Sequence, residues 1–91
     1  MKTLLITYSL KFPLNNTATI SNIIKRFQKW WHYLPNVWIV RSELTPEAVR
    51  KSMDPFINKG DRIFIVELKN NCNGWLPPDA WKWLSENLQN D

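Results

Sequence analysis

Arg62-Ile63-Phe64-Ile65-Val66-Glu67-Leu68 decides how this chain must fold. Isoleucine, valine and phenylalanine dominate it, as in a β-strand. Ile63 and Ile65 point to one side, and Phe64, Val66 and Leu68 to the other. A strand that is apolar on both faces needs cover on both. Lys2 to Leu10 reads in nearly the same way, with Leu4, Ile6 and Tyr8 alternating with Leu5, Thr7 and Ser9. Helices lying on both faces would supply the cover, and so would a second copy of the chain packed sheet on sheet.

Working outward from these strands, Lys11 to Asn16 reads as a loop containing Pro13. The spacing of Ile20, Ile23, Ile24, Phe27 and Trp31 predicts a helix over Ala18–Trp31, capped by Thr17 or Asn16. Lys25, Arg26 and Lys29 fall on its opposite face, and Trp30 at the edge of the stripe. Pro35-Asn36 turns the chain into a strand over Val37–Ser42. Thr45-Pro46-Glu47 is a strong helix start: a Thr cap, Pro at the first helical position and an acid in the first turn. Ala48, Val49, Met53, Phe56 and Ile57 form its inner side, and Pro55 ends or kinks it early. Asn58 to Asp61 is a turn and Asn70 to Gly74 a loop. Pro77-Pro78-Asp79 opens a last helix to about Leu88, with Trp81, Leu84 and Leu88 on its stripe and Trp83 off it. The predicted order is strand, helix, strand, helix, strand, helix, in one domain spanning residues 1–91.

The net charge of +4 is unevenly spread. No acid precedes Glu43, whereas Lys2, Lys11, Lys25, Arg26, Lys29 and Arg41 all do. The other six bases share the rest of the chain with eight acids. A segment of one sign attracts phosphate, and it can also be no more than a solvated surface. Cys72 is the single cysteine, so no internal disulfide forms and nothing argues for an oxidising compartment. Leu4-Leu5-Ile6 is too short for a signal-peptide core or a membrane span, which leads to the expectation of a cytoplasmic protein without membrane contact.

No complete catalytic set is present. His32 reads as a helix-end cap or packing residue, and Cys72 lacks a neighbouring base. The cysteine and histidine spacing excludes a zinc finger, and two glycines are too few for a phosphate loop. Binding fits better. Cations neutralise phosphates and exposed aromatics stack on bases. Lys11, Lys25, Arg26, Lys29 and Arg41 are candidates for the first role, and Trp30, Trp38, Trp75 and Trp83 for the second.

Five runs carry a family resemblance: Thr7-Tyr8-Ser9-Leu10, Trp30-Trp31-His32-Tyr33-Leu34, Val37-Trp38-Ile39-Val40, Gly60 to Leu68, and Gly74-Trp75-Leu76-Pro77 with Ala80-Trp81 and Trp83-Leu84. Together they resemble the SinR-like small proteins and, more distantly, the CRISPR-associated adaptation nuclease-fold proteins. The resemblance implies an α+β, ferredoxin-like βαββαβ sandwich with an added C-terminal helix, paired as a homodimer through a sheet face. It also implies a short strand near Arg41–Leu44.

In the nuclease-fold relatives the first strand ends Tyr-Asp-hydrophobic, and the Asp pair across the dimer is the proposed metal site. Here the segment reads Tyr8-Ser9-Leu10. A hydroxyl is a poor ligand for Mg²⁺, so the expectation is a protein without a cofactor and more a binder than an enzyme. The expected ligand is nucleic acid or a nucleotide, met by Tyr8, Ser9, Lys11, Lys25, Arg26, Lys29, Trp38, Arg41 and Trp75. Two alternatives remain. One is a Mg²⁺-dependent nuclease using Asp61 or Glu67. The other is a protein-interaction module, including one for phage–host conflict that sequesters a nucleotide signal.

Overall fold

The computed structural model describes residues 1–88. Its elements are β1 (Lys2–Ser9), α1 (Pro13–Ile24), β2 (Lys29–Leu34), β3 (Val37–Ser42), α2 (Pro46–Met53), a 3-10 turn (Asp54–Phe56), β4 (Arg62–Glu67) and α3 (Pro78–Asn87). The four strands form one sheet in the order β2-β3-β1-β4. Every neighbouring pair is antiparallel. This small α+β architecture is compatible with a ferredoxin-like fold.

The four strands exceed the three predicted from periodicity, and the difference lies in residues 13–34. α1 starts at Pro13, whose missing amide and fixed φ suit the first helical position. Phe12 is the N-cap residue, so neither Asn16 nor Thr17 caps the helix. The helix stops at Ile24, not Trp31. The amides of Arg26 and Phe27 bond three residues back, to Ile23 and Ile24, which tightens the last turn and releases the chain. Lys29 to Leu34 then pairs with β3 as a hairpin across Pro35-Asn36. Asn36 takes φ 58°, a left-handed conformation that Asn tolerates better than most residues. The strand expected near Arg41–Leu44 is absent as a separate element; Arg41 and Ser42 end β3.

The helix expected from Thr45 forms, but Phe56, expected on its inner side, lies beyond it in the 3-10 turn and is exposed. Thr45 caps α2, its Oγ1 accepting the Ala48 amide at 3.1 Å. α2 ends at Met53, and Pro55 sits in the 3-10 turn that follows.

Two apolar layers flank the sheet. The first holds Leu4, Ile6, Tyr8, Trp38 and Val40 of the sheet against Ile20 and Ile24 of α1 and Val49 and Met53 of α2. The second holds Trp31 and Ile39 against Ala80, Leu84 and Leu88, with Leu5, Val37, Trp81 and Trp83 partly buried around them. The second face is therefore covered in part by the chain's own C-terminal helix, the first of the two solutions open to a two-faced strand. Trp83, expected off the stripe, also packs here.

α3 is pinned at both ends. Trp31 Nε1 donates to the Ala80 carbonyl at 3.2 Å. Arg41 Nη1 donates to the Asn87 carbonyl at 2.7 Å and to Thr3 Oγ1 at 2.8 Å, and Thr3 Oγ1 also donates to the Asn87 carbonyl. These anchors lead α3 from the middle of β2 to the start of β1. By strand alternation and register, Thr7, Ser9, Arg62 and Phe64 share the second face beyond this path. Phe64 is 61% exposed there.

Candidate nucleic-acid interface

The hairpin brings together residues that the helical reading kept apart. On the face toward α1, β2 presents Trp30 and His32, and β3 presents Trp38. Trp38 is 1% exposed and donates from Nε1 to the Tyr8 hydroxyl at 3.1 Å. His32 lies flat on it, with ring centroids 3.7 Å apart and planes 2° from parallel. Trp30 meets Trp38 edge to face at 5.5 Å and 61°. His32 Nδ1 lies 3.0 Å from the Val37 carbonyl. A carbonyl only accepts, so this nitrogen carries the proton. Trp38 and Tyr8 are thus a buried platform, and Trp30 and His32 are the rings that solvent reaches.

One cation, Lys25, contacts this aromatic set. Lys25 Nζ stands 5.6 Å from the Trp30 ring centroid, within range of a cation–π contact. Lys25 and Arg26 follow the last turn of α1, where positive charge complements the helix dipole. Lys29 is in direct cross-strand register with Arg41. Two like charges opposite each other repel, and Arg41 is drawn away to hold Asn87. No ion pair among the described residues involves Lys2, Lys11, Lys25, Arg26, Lys29 or Arg41. The pairs formed are Arg50–Asp54, Lys51–Glu47 and Lys69–Glu67, all in the second half.

The remaining expected site residues scatter. Ser9 is exposed at the end of β1, beside Thr7, Arg62 and Phe64, over a shallow open hollow of about 410 Å³. Lys11 is exposed near Phe12, and its backbone amide donates to Asp61 Oδ1 at 2.8 Å. Arg26 borders a groove with Ile23, Phe27, Ser52 and Phe56. Trp75 is fully exposed between β4 and α3. The structure thus brings Tyr8, Trp38 and Lys25 together with Trp30 and His32 on the face toward α1. It puts Lys29 and Arg41 on the opposite face, and it leaves Ser9, Lys11, Arg26 and Trp75 apart.

His32 is the residue that sequence reasoning missed. An alternating aromatic run before a Pro-Asn turn and a second β-rich run is a hairpin signal. Read so, it puts Trp30 and His32 on one face.

The acids offered for metal chemistry have other occupations. Asp61 Oδ1 and Oδ2 accept the amides of Lys11 and Asn58, both at 2.8 Å. These bonds hold its carboxyl below the usual carboxylate range, with burial opposing them more weakly. Glu67 lies at the far end of β4 and pairs with Lys69. Among the described residues, no group of three His, Cys, Asp or Glu side chains is placed to share a metal ion. No described helix is long and apolar enough to cross a membrane.

No family model, curated protein or solved structure matches this chain.

Proposed function

We propose that this chain is a SinR-like, ferredoxin-like dimer that binds nucleic acid or nucleotides without transforming them. The observation that carries this reading is the set of cations before Glu43, none of which forms an ion pair among the described residues, with Lys25 set over the exposed Trp30 ring beside exposed His32. Unpaired cations next to aromatic faces are what a polyanion with stackable bases requires. The strand order β2-β3-β1-β4 with antiparallel neighbours supports the ferredoxin-like reading. Exposed Phe64 beside Ser9 supports a seam between two copies on the part of the sheet that α3 does not cover.

Fluorescence anisotropy with labelled single-stranded, duplex and mononucleotide probes at low salt tests the proposal. If three or four phosphates are neutralised, log K should fall with log salt at a slope of about −2 to −3 for a single strand. Absence of binding to all three probes at low salt overturns it. Cleavage on adding Mg²⁺, lost in Asp61→Asn or Glu67→Gln, would replace it with the nuclease reading.

A further inference from the structure

We infer that the outward face of His32, together with Trp30, is a stacking site for the bases of single-stranded nucleic acid. The inference rests on the nucleic-acid reading above and adds to it where the bases go and in what form.

His32 is stacked on one side only. Trp38 occupies its inner face at 3.7 Å. β2 ends the sheet order, so no strand lies beyond it among the described residues. The imidazole is exposed, on a strand at the edge of the sheet. A base laid there would extend a column that already contains His32 and Trp38. Trp30 stands two residues earlier on the same face and is 41% exposed.

Both rings are held before any ligand arrives. His32 is fixed by Trp38 and by its bond to the Val37 carbonyl. Trp30 is braced against Trp38, whose own Nε1 is tied to Tyr8. Little rotamer freedom is left to lose on binding, which favours affinity.

The tilt of the rings selects the ligand's form. His32 lies 2° from the plane of Trp38 and Trp30 lies 61° from it, so the two exposed rings are not parallel as successive bases of a stacked strand are. The two rings therefore suit bases pulled apart along an extended strand. Bases inside a duplex have both faces occupied and could not use them. Lys25, 5.6 Å from the Trp30 ring centroid, supplies charge for a flanking phosphate.

The test compares a labelled 12-nucleotide thymidine strand, a fully abasic strand of the same length and a duplex, all at one low salt concentration. The base-bearing strand should bind the unaltered protein at least about fivefold more tightly than the abasic one, since each stacked base is worth about 5- to 150-fold. The duplex should resemble the abasic strand. Trp30→Ala should remove most of the advantage, and Trp75→Ala should leave it intact. His32→Gln replaces Trp30→Ala if that variant does not fold.

Equal binding of base-bearing and abasic strands overturns the stacking site while the charge-based reading stands. A base advantage lost in Trp75→Ala, but kept in a folded Trp30→Ala, also overturns it. Failure of every strand to bind overturns both readings.

Discussion

Replacing Trp31 tests the rearranged hairpin most directly. Trp31 is the only buried residue of β2, 2% exposed, and it bonds to the Ala80 carbonyl. Trp31→Ala deletes a core indole, which costs about 3–5 kcal/mol. A chain of 91 residues holds about 5–14 kcal/mol in all, so this variant would be folded only marginally. Trp31→Phe is the better probe. It loses one hydrogen bond, worth about 1 kcal/mol. The smaller ring adds a packing loss of about the same size, for a total near 2 kcal/mol. The melting temperature should fall by about 8–16 °C.

The decisive measurement is a pair of double-mutant cycles by urea denaturation. Trp31 shares its layer with Leu84, on the face opposite Ile24. Trp31→Phe should couple to Leu84→Ala by at least about 0.5 kcal/mol and add to Ile24→Val within about 0.3–0.5 kcal/mol. Coupling to Ile24 without coupling to Leu84 would put Trp31 back on the α1 stripe and refute the hairpin.

Three further outcomes follow from particular contacts. Asp61→Asn should weaken the protein at neutral pH. Because the folded state depresses the Asp61 pKa, its stabilisation is present above the unfolded value of about 3.9 and is lost as pH falls through the lower folded value. The stability gap between parent and variant should therefore close below about pH 4; a gap of constant size from pH 7 to 2 contradicts the assigned bonds. Thr45→Ala removes the α2 cap and should cost about 1 kcal/mol, a drop of about 4–8 °C in thermal melting by circular dichroism. Phe64→Lys should convert the proposed dimer to monomer in sedimentation velocity and remove the concentration dependence of the melt, and a parent chain that sediments as a monomer rejects the dimer.

What was legible in the sequence followed from local chemistry. Thr45-Pro46-Glu47 announced α2 because a cap hydroxyl, a proline and an acid act within one turn. Pro55 ended it for an equally local reason. β1, β3 and β4 were marked by alternating β-branched and aromatic residues. β2 was missed because two periodicities overlapped: Trp31 continues the Ile20, Ile24, Phe27 spacing and also fits an alternating strand. Tertiary cover decided between them, since as a strand residue Trp31 reaches Ala80 and Leu84, more than fifty positions away from α1. The site was obscured by the same ambiguity. Lys25, Arg26 and Lys29 were recognised as an unopposed charge cluster, but Trp30, His32 and Trp38 become neighbours only when the hairpin closes.

The two-faced strands pose a sharper problem once α3 is in place. Strand chemistry alone demanded cover on the second face without saying whose. Trp31, Ile39 and Leu5 receive it from the chain itself. Arg41 assists by holding the end of α3 at Asn87, and that role draws one expected phosphate ligand into the architecture. What stays open is narrower than a whole sheet face: the ends of β1 and β4, with Ser9, Arg62 and Phe64. A contact between copies there would lie on the face opposite His32, whose ring projects toward α1. Dimer formation and base stacking would then use different surfaces of one sheet. Phe64→Lys should abolish the first without changing strand affinity per site, and Trp30→Ala should do the reverse.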